Sequence, residues 1–216
     1  MTFLKHSIFS LVILVCLIGA GCESTTAPPS SSTSTAAKSE VKTAPPIPKV
    51  QPGEEIVVIE TDFGKVKIQL FPDVAPKHVE NFKKRISEGF YNGLAFHRAV
   101  PNLIVQGGDP NTKDKDRSTW GAGDESLPKI NAEFNDRPFI KGTLGAARAP
   151  DPNSASTQFF LCVEPFPQWD GQYTNFGQVI EGISNVQVMT MAETDDEQKL
   201  KDKIVMRKVY LEKYQK

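Results

Sequence analysis

Short apolar runs separated by glycine, proline and asparagine fill most of the chain after Gly93. Apolar runs of this length, bounded by turn-forming residues, are typical of β-strands. The candidate strands lie at Phe96 and at residues 103–105, 143–147, 159–163, 176–180 and 204–211. Many short strands with few helices favour a mainly β architecture, and the periodicity leaves open whether the strands form a barrel or a sandwich with helical caps.

The stretch before Gly93 contains a predicted hairpin and a predicted helix. Residues 56–59 are all β-branched, and residues 65–70 alternate between polar and apolar side chains, so a β-hairpin with one buried face is expected. Over residues 76–88 apolar side chains recur at helical spacing between charged ones, which predicts an amphipathic helix that begins at Pro76. A second helix is predicted over residues 183–191.

The first 21 residues have the composition of a secretory signal peptide. A short basic start precedes an apolar run over residues 8–18, which is too short to span a bilayer as a stable helix. The sequence Gly-Ala-Gly-Cys at 19–22 resembles a bacterial lipoprotein processing box, although Gly19 stands where Leu, Val or Ile is usual. That resemblance implies lipidation of Cys22; the alternative is ordinary signal cleavage nearby, which would leave a free secreted protein.

The predicted domain organisation has three parts: a signal peptide over residues 1–21, a linker over residues 22–53 that begins with the lipidated cysteine, and one folded domain over residues 54–216. Ser, Thr, Ala and Pro dominate the linker. Such a segment cannot bury enough apolar surface to offset its ordering entropy, so a flexible tether is expected.

Composition excludes several classes of function. The formal net charge of −1 argues against a nucleic-acid-binding protein, which normally presents a basic face. Of three cysteines only Cys162 falls in the folded domain, so no disulfide within that domain is expected, and Cys162 is interpreted as a small buried hydrophobe. The three histidines have no cysteine or carboxylate at metal-ligand spacing. We therefore expect no metal and no cofactor.

One run of residues carries the strongest functional information. The sequence FHRAVPN at residues 96–102, followed by QGGDP at 106–110, resembles the core motif of the cyclophilins, which are peptidyl-prolyl cis-trans isomerases. Further matching segments occur in the family's order at residues 75–82, 142–148, 151–160 and 170–177. Together they span residues 56–211. The resemblance implies an eight-stranded antiparallel barrel capped by two α-helices, with the site on the outer face of the barrel.

The resemblance also implies the chemistry. The amide bond before proline isomerises slowly because of its partial double-bond character, and a catalyst must bind the twisted amide more tightly than the planar one. Arg98 matches the family's catalytic arginine, whose charged donors would stabilise the proline nitrogen as its lone pair localises. Gln106 would hydrogen-bond the substrate or position Arg98. His97 is interpreted as a structural neighbour of the site and not as a base.

By the same resemblance, a substrate-binding groove surrounds Arg98. Its expected members are Leu103, Ile104, Ala147, Arg148, Gln158, Phe160, Trp169 and Tyr173. Three of them depart from the commonest pattern, because Leu103, Ile104 and Tyr173 stand where many members have Phe, Met and His. Loss of the aromatic side chain at Leu103 is expected to weaken proline binding. Gln168 occupies the position of a tryptophan linked to cyclosporin binding, so weak cyclosporin sensitivity is expected.

The expected function is therefore isomerisation of X-Pro bonds during the folding of exported proteins. The partners would be proline-containing polypeptides and, through Cys22, a bacterial membrane; the location would be the cell envelope, outside the cytoplasm, and the oligomeric state a monomer. The alternative is a proline-motif binding module or chaperone with little or no turnover. Activity that depends on Arg98 would distinguish the two.

Overall fold

The computed structural model describes residues 46–113 and 116–215. The predicted signal peptide, the predicted lipidation site at Cys22 and most of the predicted linker lie outside this range. Within the part of the chain that is described, no helix is long and apolar enough to cross a membrane. The last linker residues already contact the folded domain, since the Gly53 amide donates to the Tyr214 carbonyl at 2.8 Å.

Nine antiparallel strands form a single sheet. Their bounds are β1 Glu55–Thr61, β2 Gly64–Leu70, β3 Ala95–Val100, β4 Ile104–Gly107, β5 Thr143–Ala146, β6 Phe159–Cys162, β7 Asn175–Glu181, β8 Lys199–Val205 and β9 Lys208–Lys213. The order across the sheet is β8-β3-β4-β6-β5-β7-β2-β1-β9. Each segment predicted from short apolar runs or alternation overlaps at least one of these strands, so the mainly β prediction is confirmed.

The two ends of the strand order are joined by a continuous run of chain. Strand β8 pairs with β3 and strand β9 pairs with β1, and only Met206 and Arg207 separate β8 from β9. The Met206 amide donates to the Leu94 carbonyl and the Arg207 amide to the Glu60 carbonyl, both at 2.8 Å. This run therefore closes the sheet into a barrel. The predicted count of eight strands becomes nine because the closing strand changes partners midway and divides into two segments.

Two α-helices accompany the barrel, α1 at Pro76–Ser87 and α2 at Ile183–Thr190, as predicted. Helix α1 buries His78, Val79, Phe82 and Ile86, which lie on one face at the expected spacing. Its N-terminal amides are satisfied from a distant loop: Glu133 accepts from the Lys77 and His78 amides at 3.0 Å and contacts the His78 ring nitrogen at 2.6 Å.

The buried apolar side chains fall into two clusters. The larger fills the barrel interior, and the smaller, around Ile104, Phe139, Phe160 and Cys162, lies on the opposite face of the sheet. Strand β6 shows the division directly, because Phe159 and Leu161 join the interior cluster while Phe160 and Cys162 join the outer one. The outer cluster places an apolar floor on the outside of the barrel.

Candidate active site

A β-bulge in strand β3 sets the direction of Arg98. Phe96 pairs with Gly107 and Arg98 pairs with Gln106, so two steps along β3 correspond to one along β4. The additional residue, His97, lets Phe96 and Ala99 both face the barrel interior while Arg98 projects outward. Bulges commonly redirect a side chain beside an active site.

Arg98, Gln106 and Phe160 form a row across three adjacent strands. Gln106 is the direct partner of Arg98 on one side and of Phe160 on the other. Residues directly opposite each other in an antiparallel pair share a face of the sheet. The row ends at Gly145, where an added Cβ would lie 2.3 Å from the Phe160 ring. Glycine at that position is what allows the phenylalanine ring to lie across β5.

Neutral amides hold the guanidinium of Arg98. Nη1 donates to Gln106 Oε1 at 3.2 Å and Nη2 donates to Gln198 Oε1. Among the residues that the structure covers, no carboxylate forms an ion pair with Arg98. Partial burial lowers the pKa of Arg98 from its ordinary value, and Tyr173 opposes that shift. An arginine remains charged even so, because its unperturbed pKa is far above neutrality. The site therefore presents a cation that no acid of the described residues neutralises.

A chain of glutamine contacts continues away from Arg98. Gln106 Nε2 donates to Gln158 Oε1 at 3.0 Å, and Gln158 Nε2 donates to the Gly121 carbonyl at 3.1 Å. Because each amide uses its oxygen to accept and its nitrogen to donate, the contacts fix the orientation of both glutamine side chains.

A small cavity of about 110 Å³ opens beside Arg98. Its walls are Arg98, Ile104, Gln106, Ala147, Arg148, Phe160, Trp169 and Tyr173. Phe160 meets both Trp169 and Tyr173 edge to face, with ring centroids 5.2 and 5.7 Å apart. Arg148 lies over the Tyr173 ring at 4.5 Å and donates to the Gln172 carbonyl at 2.9 Å. The cavity therefore combines an aromatic wall with the two cationic side chains Arg98 and Arg148.

Two of the predicted pocket residues, Leu103 and Gln158, do not line the small cavity. Leu103 packs against the outer apolar cluster but does not line the cavity, so the expected loss of an aromatic wall at this position does not follow from the structure. Gln158 contacts Gln106, which in turn contacts Arg98. Gln168 is exposed, whereas Trp169 turns into the cavity.

A larger cavity of about 440 Å³ adjoins the first. It shares Gln106, Ala147 and Arg148 with the smaller one. Its remaining walls come from residues 121–125, from Lys129 and from several residues between 149 and 158. The two cavities together form a groove in which an extended peptide could place one residue against the aromatic wall of the smaller cavity and its neighbours in the larger one.

Nucleophilic and metal chemistry has no support in the described part of the chain. Cys162 is buried, and burial raises the pKa of its thiol to about 12. His97 is also buried, and burial lowers its pKa to about 4 against the opposing effect of Asp109. No group of three potential metal ligands occurs among the residues described. His97 is thus a neutral neighbour of Arg98 on the same strand.

Some residues of the site escaped sequence reasoning. Gln198, which holds Arg98, is 100 positions away and belongs to no matched segment. Phe139 and Phe166 pack against Trp169, with ring centroids 6.1 and 4.1 Å away. All three lie in irregular segments, where neither periodicity nor the family motif marked them.

Comparison with known proteins agrees with the geometry. The family model described as "Cyclophilin type peptidyl-prolyl cis-trans isomerase/CLD" matches residues 56–211. A relative in Brucella suis biovar 1 (strain 1330), named "Probable peptidyl-prolyl cis-trans isomerase", is 42% identical over 137 residues, covering 62% of this chain and 70% of its own. A Synechococcus elongatus relative named "Peptidyl-prolyl cis-trans isomerase" is 40% identical over 138 residues, covering 64% and 89%.

Solved structures give the same result. A cyclophilin type peptidyl-prolyl cis-trans isomerase of Cryptosporidium parvum, crystallised in the presence of the dipeptide Ala-Pro, has a TM-score of 0.66 and 29% identity and covers 74% of this chain and 99% of its own. A cyclophilin of Hirschia baltica, at 23% identity and a TM-score of 0.61, shares the fold. With its outward-facing arginine and the family model spanning nearly the whole domain, the chain belongs to the cyclophilin type peptidyl-prolyl cis-trans isomerases.

Proposed function

We propose that this cyclophilin isomerises X-Pro bonds of exported polypeptides, with Arg98 as the catalytic residue. The observation that carries the proposal is the position of Arg98 at the edge of an aromatic-walled cavity, held by neutral amides and paired with no carboxylate in the described chain. The Cryptosporidium relative crystallised in the presence of Ala-Pro supports a proline-containing ligand in such a site.

The mechanism follows from the electronic structure of the amide. Rotation about the C–N bond meets a barrier of about 18–20 kcal/mol because it breaks the conjugation of the nitrogen lone pair. In the twisted state that lone pair localises on the proline nitrogen, which becomes a hydrogen-bond acceptor. A guanidinium donor that is already in place stabilises this state more than the planar one, and only such a difference accelerates the reaction. No bond to the substrate is made or broken.

The cavity contributes by holding the proline ring. Phe160, Trp169 and Tyr173 present ring faces and edges on which an apolar ring can pack. With the ring fixed, the residue before proline extends toward Ala147 and Arg148, where the two cavities meet. The carbonyl side of the amide is then the part that rotates. A proline ring that fills the cavity displaces water from it, which also strengthens the contact between Arg98 and the substrate.

The test compares the full chain, purified in detergent, with its Arg98→Ala variant on an Ala-Pro peptide by NMR exchange spectroscopy. Removing one transition-state donor typically lowers the rate by about 100-fold or more, and a loss of that size in kcat/KM is expected. Arg207→Ala is the matched control, because Arg207 is an exposed arginine paired with Asp62. An inactive parent that still binds the peptide would assign the binding-module function, and equal activity in parent and Arg98→Ala would reject the mechanism.

We also propose that the enzyme is a lipoprotein of a bacterial cell envelope, anchored through Cys22. The support is in the sequence: an apolar run of signal-peptide length, small residues before the cysteine, and a Ser/Thr/Pro-rich linker that would hold the domain away from the membrane. Acyl chains contribute about 0.8 kcal/mol per buried CH₂. Cys22→Ser is expected to abolish metabolic labelling with palmitate and to move the protein from the membrane fraction to the soluble one. Unchanged labelling would contradict the anchor.

A further inference from the structure

The loop before strand β8 places Gln198 against Arg98 in an unusual backbone conformation. Gln198 has a φ of 65°, in the left-handed region that non-glycine residues seldom adopt. Its side chain accepts from Nη2 of Arg98, across 100 positions of sequence. A conformation of this kind is maintained only where the surrounding structure compensates for it.

Several independent contacts maintain the loop. Asp195 Oδ1 accepts from the Glu197 and Lys199 amides at 3.0 and 2.9 Å, and Asp195 Oδ2 accepts from Arg117 Nη2 at 2.6 Å. The Gln198 amide donates to the Asp195 carbonyl at 3.0 Å. The Gln198 carbonyl in turn accepts from the Ala99 amide, also at 3.0 Å, next to the bulge that directs Arg98. The backbone at 198 is thus fixed from both sides.

We propose that Gln198 is a positioning residue, which fixes the Arg98 guanidinium toward the substrate and leaves its charge available. The proposal rests on the proposed function of Arg98. Gln106 and Gln198 each accept from one terminal nitrogen, so together they restrict rotation of the planar group. Neither contributes a negative charge, so the cation is oriented without being neutralised.

Because Gln198 is neutral, replacing it with glutamate distinguishes a positioning role from a purely structural one. A glutamate has the same shape and could accept the same hydrogen bond from Arg98. It would also form a charge-assisted pair, which attracts the guanidinium more strongly and reduces the positive potential at the substrate. If Gln198 only filled space or supported the loop, Gln198→Glu would leave catalysis unchanged. If it positions a free cation, Gln198→Glu lowers kcat although the fold is retained.

The variants are compared as full chains in detergent, on the same Ala-Pro peptide. Gln198→Ala is expected to lower kcat/KM about tenfold, which corresponds to about 1.4 kcal/mol, with the loss in kcat because Arg98 acts in the transition state. Gln198→Glu is expected to lower kcat by a similar factor with KM little changed. Glu197→Ala is the control: this neighbouring side chain is exposed, and only its backbone amide contributes to the loop.

A double-mutant cycle separates positioning from general loop support. Residues that act through one another give non-additive effects. In the Arg98→Ala background, Gln198→Ala is expected to cause no further loss of kcat/KM. A further tenfold loss in that background would show that Gln198 acts by another route and would overturn the proposal.

A spectroscopic measurement on the free protein distinguishes failure of this inference from failure of the proposed function. In the parent, the ¹⁵N resonances of the Arg98 terminal nitrogens, assigned by their loss in Arg98→Ala, are expected to be separate because rotation is hindered. In Gln198→Ala they are expected to merge. If they merge while the parent proves inactive, the positioning role stands and the enzymatic function fails. If they are unchanged and kcat/KM stays within about twofold of an active parent, the positioning role is overturned.

Discussion

Trp169 packs edge to face on Phe160, with ring centroids 5.2 Å apart and an angle of 70° between the rings. Phe160 projects from the outer face of strand β6, directly opposite Gln106. The indole therefore forms one wall of the cavity beside Arg98. Leu103, where many cyclophilins have phenylalanine, packs in the outer apolar cluster and does not line that cavity. The aromatic surface of the site thus comes from Phe160, Trp169 and Tyr173 and not from position 103.

Substitutions at Trp169 and at Leu103 should have unequal effects on KM. Trp169→Leu removes an aromatic pair worth about 0.5–1.5 kcal/mol beyond its buried area, so KM for an Ala-Pro peptide should rise about 5- to 10-fold with little change in kcat. Leu103→Phe should change KM less than about twofold. Steady-state kinetics on both variants, with thermal unfolding as a check of folding, tests this. A larger effect at Leu103 than at Trp169 would contradict the assignment of the wall.

Cyclosporin sensitivity should depend on Gln168. This side chain is exposed beside the cavity, at the position where the family resemblance places a tryptophan linked to drug binding. The parent should be inhibited only weakly, and Gln168→Trp should tighten inhibition about 30-fold, since a buried tryptophan at an interface commonly contributes about 2 kcal/mol or more. Inhibition constants are measured beside Phe63→Trp, which adds an exposed indole on the β1–β2 turn. Low-nanomolar inhibition of the parent would refute the alignment at Gln168.

Glu133 should contribute strongly to stability. Its carboxylate accepts from two amides at the start of α1 and contacts the ring of His78, and its side chain is only 12% exposed. Glu133→Ala should lower the free energy of unfolding by about 2–3 kcal/mol, because it removes a helix cap and leaves buried donors without a partner. Urea denaturation measures the loss. Glu125→Ala, in an exposed pair with Lys129, should change it by less than about 0.5 kcal/mol.

Stability should fall as the solution is acidified from about pH 6.5 to about pH 4. Burial lowers the pKa of His97 to about 4 in the folded protein, while an unfolded histidine has a pKa of about 6.5. Between these values the unfolded chain binds a proton that the folded protein excludes, so the free energy of unfolding falls as the pH falls, by at most about 3 kcal/mol. Urea midpoints at several pH values should show a shallower slope for His97→Gln. Parallel slopes would mean that another group carries the effect.

Local patterns were sufficient for most of the architecture. Helix α1 follows from apolar residues at helical spacing after Pro76, and strand β2 from alternation with a buried face. No local sequence pattern marks the change of strand partner at Met206. That change depends on the two strands, β3 and β1, against which successive parts of the same segment pair. Sequence reasoning therefore gave a single closing strand where the structure has two segments.

The candidate site also contains both residues that the sequence predicts and residues that it does not. Arg98 and Gln106 lie within one motif, so their proximity could be predicted from adjacent strands. Gln198 and Glu133 act on residues 100 and 55 positions away, and each belongs to an irregular segment. Glutamine and glutamate are common on surfaces, and nothing in the neighbouring sequence distinguishes the glutamine that holds Arg98 or the glutamate that caps helix α1. Only the folded chain brings those pairs together.

The position of the closing strands has a consequence for the timing of folding. Strand β9 pairs with β1 across more than 150 positions, with Glu55 opposite Lys213, and the loop that holds Arg98 lies just before β8. Neither the strand pairs that close the barrel nor the contact between Gln198 and Arg98 can form until the ribosome has added these strands. Contacts so distant in sequence also form slowly. The barrel therefore closes only after nearly all of the domain has been synthesised.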